Sequence, residues 1–242
     1  MPNFVELWIY LSATPLFGLT ATLGVYVLLQ AVYDQLRHPP WANPVLWSVV
    51  ILAAGLLATG VPYPSYFSGA QFIHFLLGPA VVALGWPLWQ RRDELRQRWG
   101  RLLVAALAGG AAASASAFAI GWALGLPHDV LLSLAPKSVT APVAMGVAEK
   151  IGGIPALAAV FAVLTGLVGA LSGKYLFDLL GVPVTAHGLT MRGFALGTAA
   201  HGIGAARALQ VDANAGAYAG LALGLQVVLA SLLMPLVFGW LR

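Results

Sequence analysis

Two short stretches of this sequence carry side chains able to grip an anion, and both sit in surroundings where charge is costly. In "APKSVTAPVAMGVAEKIGG", residues 135–153, Pro136 and Pro142 bracket Lys137, Ser138 and Thr140. The ammonium and the two hydroxyls can all donate hydrogen bonds to a carboxylate. In "GTAAHGIGAARAL", residues 197–209, His201 and Arg207 stand among Gly, Ala, Thr, Ile and Leu. Arginine presents a planar fork that matches a carboxylate in a bidentate way. Histidine changes charge near physiological pH and can move a proton.

These side chains must be positioned by unusual backbone. Proline removes a donor and disfavours helix in the residue before it, so Pro136 and Pro142 predict a broken helix around Lys137. Gly202 and Gly204 flank Ile203 and predict a second unwound turn, which would let His201 and Arg207 face one cavity. On regular helix Thr198 shares a face with His201. Broken helices are tolerated at membrane depth where the freed backbone is buried or lines a cavity, and half-helix N-termini there attract anions. The plainer alternative is that Lys137 snorkels to the surface, that His201 is a satisfied interhelical hydrogen-bonder, and that Arg207 ends a helix at the interface. A third stretch, "GPAVVALGWPLWQRR" (78–92), holds Pro79 and Pro87 and reads as a kinked span with Trp86 and Trp89 as interface anchors.

The surroundings are those of a membrane. The chain has 242 residues, of which 60% are hydrophobic and 8% charged, against about 25% charged in a soluble domain. Charge-free runs separate Glu6 from Asp34, Arg37 from Arg91, Arg101 from Asp129, Lys150 from Lys174 and Asp212 from Arg242. Each can hold a crossing of roughly 20 residues, and the second can hold two. The fold class expected is therefore an all-α polytopic membrane protein in one domain, 1–242. It has about six full spans, near 5–30, 44–61, 70–90, 102–126, 154–178 and 214–240. Two further broken or re-entrant segments lie near 130–150 and 186–209. Their corresponding positions suggest inverted repeats with an elevator-like motion. Gly166, Gly169 and Gly173, three and four residues apart, and Gly216, Gly220 and Gly224 at four-residue spacing read as close helix packing.

Orientation follows from basic residues. Five of the twelve lie in "RRDELRQRWGR" (91–101), read as a cytoplasmic loop, with loop 31–43 on the same side and "PYPSYFSG" (62–69) outside. That places the N-terminus outside, and the uncleaved start "MPNFVELW" reads as part of the first span. If 130–150 and 186–209 dip in and return, Lys174 also falls on the cytoplasmic side; if they cross, Lys150 does instead. The net charge of +4 is local to the basic cluster and does not imply a nucleic-acid partner. There is no cysteine, and no pattern for hydrolysis, nucleotide use or a metal site occurs, so no enzyme, cofactor or metal is expected.

"PKSVTAPVAMGVAEKIGGIPALAAVF" (136–161) and "RGFALGTAAHGIGAARAL" (192–209), in that order and spacing, resemble the CidB/LrgB family of bacterial membrane proteins. "NPVLWSVVILAAG", "YPSYFSGAQF" and "GPAVVALGWPLW" resemble its first half, so the likeness covers roughly 40–240. The family also includes the membrane domain of the plastidial glycolate/glycerate transporter. The resemblance implies a transporter of small monocarboxylates (glycolate, glycerate or pyruvate class) or, alternatively, a holin-like regulator of murein hydrolase activity and lysis. It implies the bacterial inner membrane, a homo-oligomer, and an LrgA/CidA-type membrane subunit as partner. Carried onto this chain, the family's polar positions fall on Lys137, Ser138, Thr140, His201 and Arg207. Ala141, Ala200 and Ala205 stand where Thr, Ser and Thr are common, which makes the expected cavity less polar. The coupling ion is open, a proton on His201 being one candidate.

Overall fold

The computed structural model describes residues 15–76, 79, 85–90 and 92–240, and no strand is present among them. Contacts divide the chain into two compact units, Met1–Ala80 and Val81–Arg242.

The first unit holds α1 (Pro15–Gln35), α2 (Pro44–Thr59) and α3 (Tyr63–Phe75). The Asn43 side chain caps α2, accepting from the Val45 and Leu46 amides at 2.9 and 3.2 Å. Pro44 opens the helix where a missing N–H costs nothing, and Gly60 closes it at φ 66°. α1 and α3 approach closely at Gly18, where a Cβ would strike the Tyr66 backbone, and Thr22 Oγ1 and Tyr66 Oη share a 2.6 Å hydrogen bond. The segment "PYPSYFSG", expected outside between two spans, is helical from Tyr63: Pro64 falls in the first turn of α3 and the helix runs on through Ser65.

The second unit holds α4 (Gly85–Gln90), α5 (Arg92–Ala123), α6 (His128–Leu134), α7 (Ala141–Ile151), α8 (Pro155–Leu179), α9 (Ala186–Val211) and α10 (Ala213–Trp240). From Arg92 on, the basic cluster expected as a loop is the start of α5. Its Arg, Glu, Leu and Gln are good helix formers, and nothing in it breaks a helix. With 32 residues, α5 is about 48 Å long, so its basic end stands clear of a hydrocarbon layer of about 30 Å. At that end the Arg92 guanidinium lies 5.0 Å over the Trp89 ring, as suits an interface anchor. Most of the kink expected within 78–92 lies outside the described residues.

Among the described residues, four helices are long and apolar enough to cross a membrane: Leu16–Gln35, Arg96–Ala123, Pro155–Leu179 and Ala213–Gly239. They match four of the six expected spans. α2 is shorter at 16 residues, and the span expected at 70–90 lies partly outside the described residues.

Both irregular segments fold back on themselves. In the first, α6 runs in, residues 135–140 turn, and α7 runs out. The stem is latched by Ser133, whose Oγ donates to the Asp129 carbonyl at 2.7 Å and accepts from the Ile154 amide at 2.7 Å. In the second, His201 interrupts α9 at φ 41°, ψ −132°. A Cβ on Gly204 would lie 2.7 Å from the Leu196 carbonyl oxygen and 2.6 Å from Ala200 Cβ. Residues eight apart on a continuous helix stand about 12 Å apart. The arm 202–211 therefore returns alongside 186–200. Packing against α10 agrees: Gly193 and Gly197 face Ala215 and Ala219 in parallel sense, while Gly216 faces Leu209 in antiparallel sense.

The unit thus contains a re-entrant hairpin followed by a span twice over, 128–179 and 186–240. Short connections at 152–154 and 180–185 join them. Because α8 crosses between the hairpins, the second enters from the opposite end, so the two hairpin-plus-span units are inverted in topology.

Candidate functional site

The tip of the first hairpin is built from turns. The Lys137 amide donates to the Leu134 carbonyl at 3.2 Å, and the Val139 amide to the Pro136 carbonyl at 3.1 Å. Ser114 on α5 donates to the Ala135 carbonyl at 2.8 Å. Lys137 is half-buried and its Nζ makes a long 3.4 Å hydrogen bond to Oγ of buried Ser138. Thr140 precedes α7 without capping it, and its Oγ1 is buried with no hydrogen-bond partner. Pro136 lies inside the turn. Pro142 does not break a helix; it sits in the first turn of α7, where its missing N–H is no loss.

The second tip is His201. Its backbone lies in a region that favours glycine, and its ring is buried, with Nε2 donating to the Ala162 carbonyl of α8 at 2.6 Å. Gly166 makes room for the ring, since a Cβ there would lie 2.7 Å from Cε1 and 2.8 Å from Nε2. The break expected at Gly202 and Gly204 falls one residue earlier. Gly204 instead admits the close return of the arm, and a Cβ on Gly202 would meet nothing within 4 Å. Thr198, three residues before the tip, is buried and spends its hydroxyl on the Phe194 carbonyl at 2.9 Å.

The two tips converge on one stretch of α8. Val139, Ala144, Ala148, Ala158 and Ala162 share a buried cluster. α7 and α8 are antiparallel across the Gly152 turn (φ 92°), so four-residue steps set Ala144 level with Ala162 and Thr140 level with Gly166. His201 occupies that same level. Both returning helices, α7 and 202–211, thus start at the tips, with their N-terminal amides and partial positive charge directed there. Thr140 and His201 are brought to this level, with Ser138 and Lys137 two and three residues before Thr140 in the same turn. Arg207 is half-buried and stands six residues past the tip, about 9 Å back along the arm.

Two cavities flank α5. One of 440 Å³ is lined mostly by apolar side chains, with Ser114, Ser138 and Gln226 as its polar ones, and one of 560 Å³ is lined in part by Arg98, Arg101, His187 and Thr198. Gln226 escaped the sequence reading, although a lone amide in the apolar run "GLALGLQVVLA" was a visible signal. It is buried and its Nε2 donates to the Ala106 carbonyl at 2.6 Å. Ser133 and the Ala162 carbonyl also escaped. A backbone oxygen leaves no mark in sequence.

The LrgB-like family model matches residues 22–240. The Bacillus subtilis uncharacterized protein YxaC is 34% identical over 89% of this chain and 92% of its own. An uncharacterized Haemophilus influenzae protein is 33% identical over 81% and 83%. The Staphylococcus epidermidis holin-like protein CidB is 29% identical over 93% and 96%. No solved structure matches the chain. Re-entrant hairpins, apolar spans and a match over nearly the whole length lead to one conclusion: the chain is a multi-pass membrane protein that belongs to the LrgB-like family.

Proposed function

We propose that this chain carries small monocarboxylates, of the glycolate, glycerate or pyruvate class, across the bacterial inner membrane, with the hairpin tips as its anion site. The observation that supports this most is the pairing of two helix N-termini at the level of Ala162 and Gly166. Lys137 neutralises the carboxylate there, and Ser138 and Thr140 donate to it. The buried, unpartnered Thr140 Oγ1 is what an empty hydrogen-bonding position leaves behind. His201 reads the substrate's hydroxyl or carbonyl, or carries a coupling proton. Thr198 lines the approach, and Arg207 draws the anion along the returning arm. The inverted hairpin units suit an elevator-like exchange between the two sides. The basic end of α5 faces the cytoplasm and the N-terminus lies outside.

A second reading is favoured by relatives named holin-like proteins, and names support it more directly than they support transport. In it, homo-oligomers of the chain, with an LrgA/CidA-type subunit, permeabilise the membrane or control lysis. Purified protein in liposomes separates the two, with and without the small subunit. Saturable uptake of labelled pyruvate or glycolate with an entrapped dye retained supports the transporter. Dye release without saturable uptake supports the holin-like protein. In the transporter, His201→Gln should spare substrate binding and flatten the pH dependence of uptake if His201 carries the proton.

A further inference from the structure

The two cavities beside α5 lie on opposite flanks of that helix and are displaced along it. The larger runs beside Arg98, Arg101, Ala105 and Gly109, and the smaller beside Gly110, Ser114, Ala115 and Phe118. Successive positions on a helix turn by 100°, so these two sets face nearly opposite ways. Over 98–118 the pair covers about 30 Å of helix, the thickness of a hydrocarbon layer. The contact that separates them is small and made of few groups. Ala106 offers its carbonyl to Gln226, a Cβ on Gly110 would lie 2.6 Å from Gln226 Oε1, and a Cβ on Gly109 would lie 2.8 Å from Thr198 Cγ2. Gln226 and Ser138 line the same cavity, so the contact stands beside the first hairpin tip.

We propose that Gln226 is the gate of the permeation path, closing the passage beneath α5 between the two cavities. The inference rests on the transport reading and names its barrier. In the closed state Nε2 is held by a neutral carbonyl. A hydrogen bond to a carboxylate is roughly twice as strong as one between neutral partners, so an arriving anion competes well for that N–H. Arg98 and Arg101 concentrate anions at the basic end of the larger cavity, and Lys137, one hydrogen bond behind Ser138, holds positive charge beside the other. An amide at the gate thus favours anions without trapping them as a buried cation would.

The chain has no cysteine, so single cysteines report access cleanly. Ala105→Cys and Ala115→Cys are expected to react with a membrane-impermeant thiol reagent from opposite sides, compared in intact cells and inverted vesicles. Reaction of both from the same side overturns the path. Gln226→Ala should speed reaction of each cysteine from its far side about tenfold, the worth of one net hydrogen bond. Gly110→Ala keeps the amide but crowds it off Ala106, and should do the same should Gln226→Ala fold poorly. Unchanged far-side rates in both variants overturn the gate. Uptake of labelled pyruvate keeps this separate from the carboxylate reading. If the gate variants open access while wild type moves no pyruvate, that reading fails and the gate stands. If wild type moves pyruvate and neither variant alters access, the gate fails and the reading stands.

Discussion

His201 is at once a hinge and a buried donor, and these roles can be separated. At φ 41°, ψ −132° a Cβ is strained, at a cost of about 1–3 kcal/mol. The bond to the Ala162 carbonyl offsets about 1 kcal/mol of that. His201→Gly loses the bond and sheds the strain, whereas His201→Ala loses the bond and keeps the strain. His201→Gly should therefore unfold at a higher temperature than His201→Ala in detergent, by the equivalent of about 1–3 kcal/mol. The opposite order would mean that the turn is not strained. Gly166→Ala meets the imidazole at 2.7–2.8 Å and should cost about 1–3 kcal/mol by overpacking, read in the same thermal scan. The chemistry of these residues was legible in the sequence, because an ionisable side chain in an apolar run is costly and stands out. The hinge position was not. Local rules assign positive φ to Gly202 or Gly204, and a histidine takes it here only because α8 supplies a carbonyl and a space.

At the scale of elements, the prolines of 136 and 142 and the glycines of 202 and 204 marked two irregular segments, and both proved to be hairpins. Their fold-back was left open by the sequence, which allowed each segment either to cross or to return, and in α9 a single non-helical residue makes the turn. The return is encoded in small residues that touch other helices, such as Gly204 on Leu196 and Gly193 on Ala215. Spin labels test it at Met191 and Leu209, both exposed. On a continuous helix these positions lie about 27 Å apart and give a sharp dipolar distance. In the hairpin they lie on adjacent arms, so that distance is absent and the continuous-wave spectrum broadens. A distance near that of the straight helix would return α9 to a single span and remove the second tip.

At the scale of the whole molecule, the hairpins fix which charges share a side. α5 begins at the basic cluster and ends where the first hairpin enters. That hairpin returns to the same end, so Lys150 in the last turn of α7 lies opposite the cluster. α8 then crosses back, bringing Lys174 and the Arg192–Asp178 ion pair (2.7 Å) to the cluster's side. The larger cavity agrees, being lined by Arg98 and Arg101 together with His187 from the second hairpin's entry. The sequence offered either Lys150 or Lys174 as cytoplasmic according to whether the segments cross or return, and the returns put Lys174, not Lys150, on the side of the basic cluster. Single cysteines at Arg96, Lys150 and Lys174 should therefore divide two against one. Arg96→Cys and Lys174→Cys should react with an impermeant thiol reagent in inverted vesicles, and Lys150→Cys only in intact cells. The division holds whichever side the cluster occupies, because it depends on the number of crossings between the labels. Labelling of Lys150→Cys with Arg96→Cys, and of Lys174→Cys opposite them, would show one crossing fewer or more, and the inverted pair of hairpins would be lost with it.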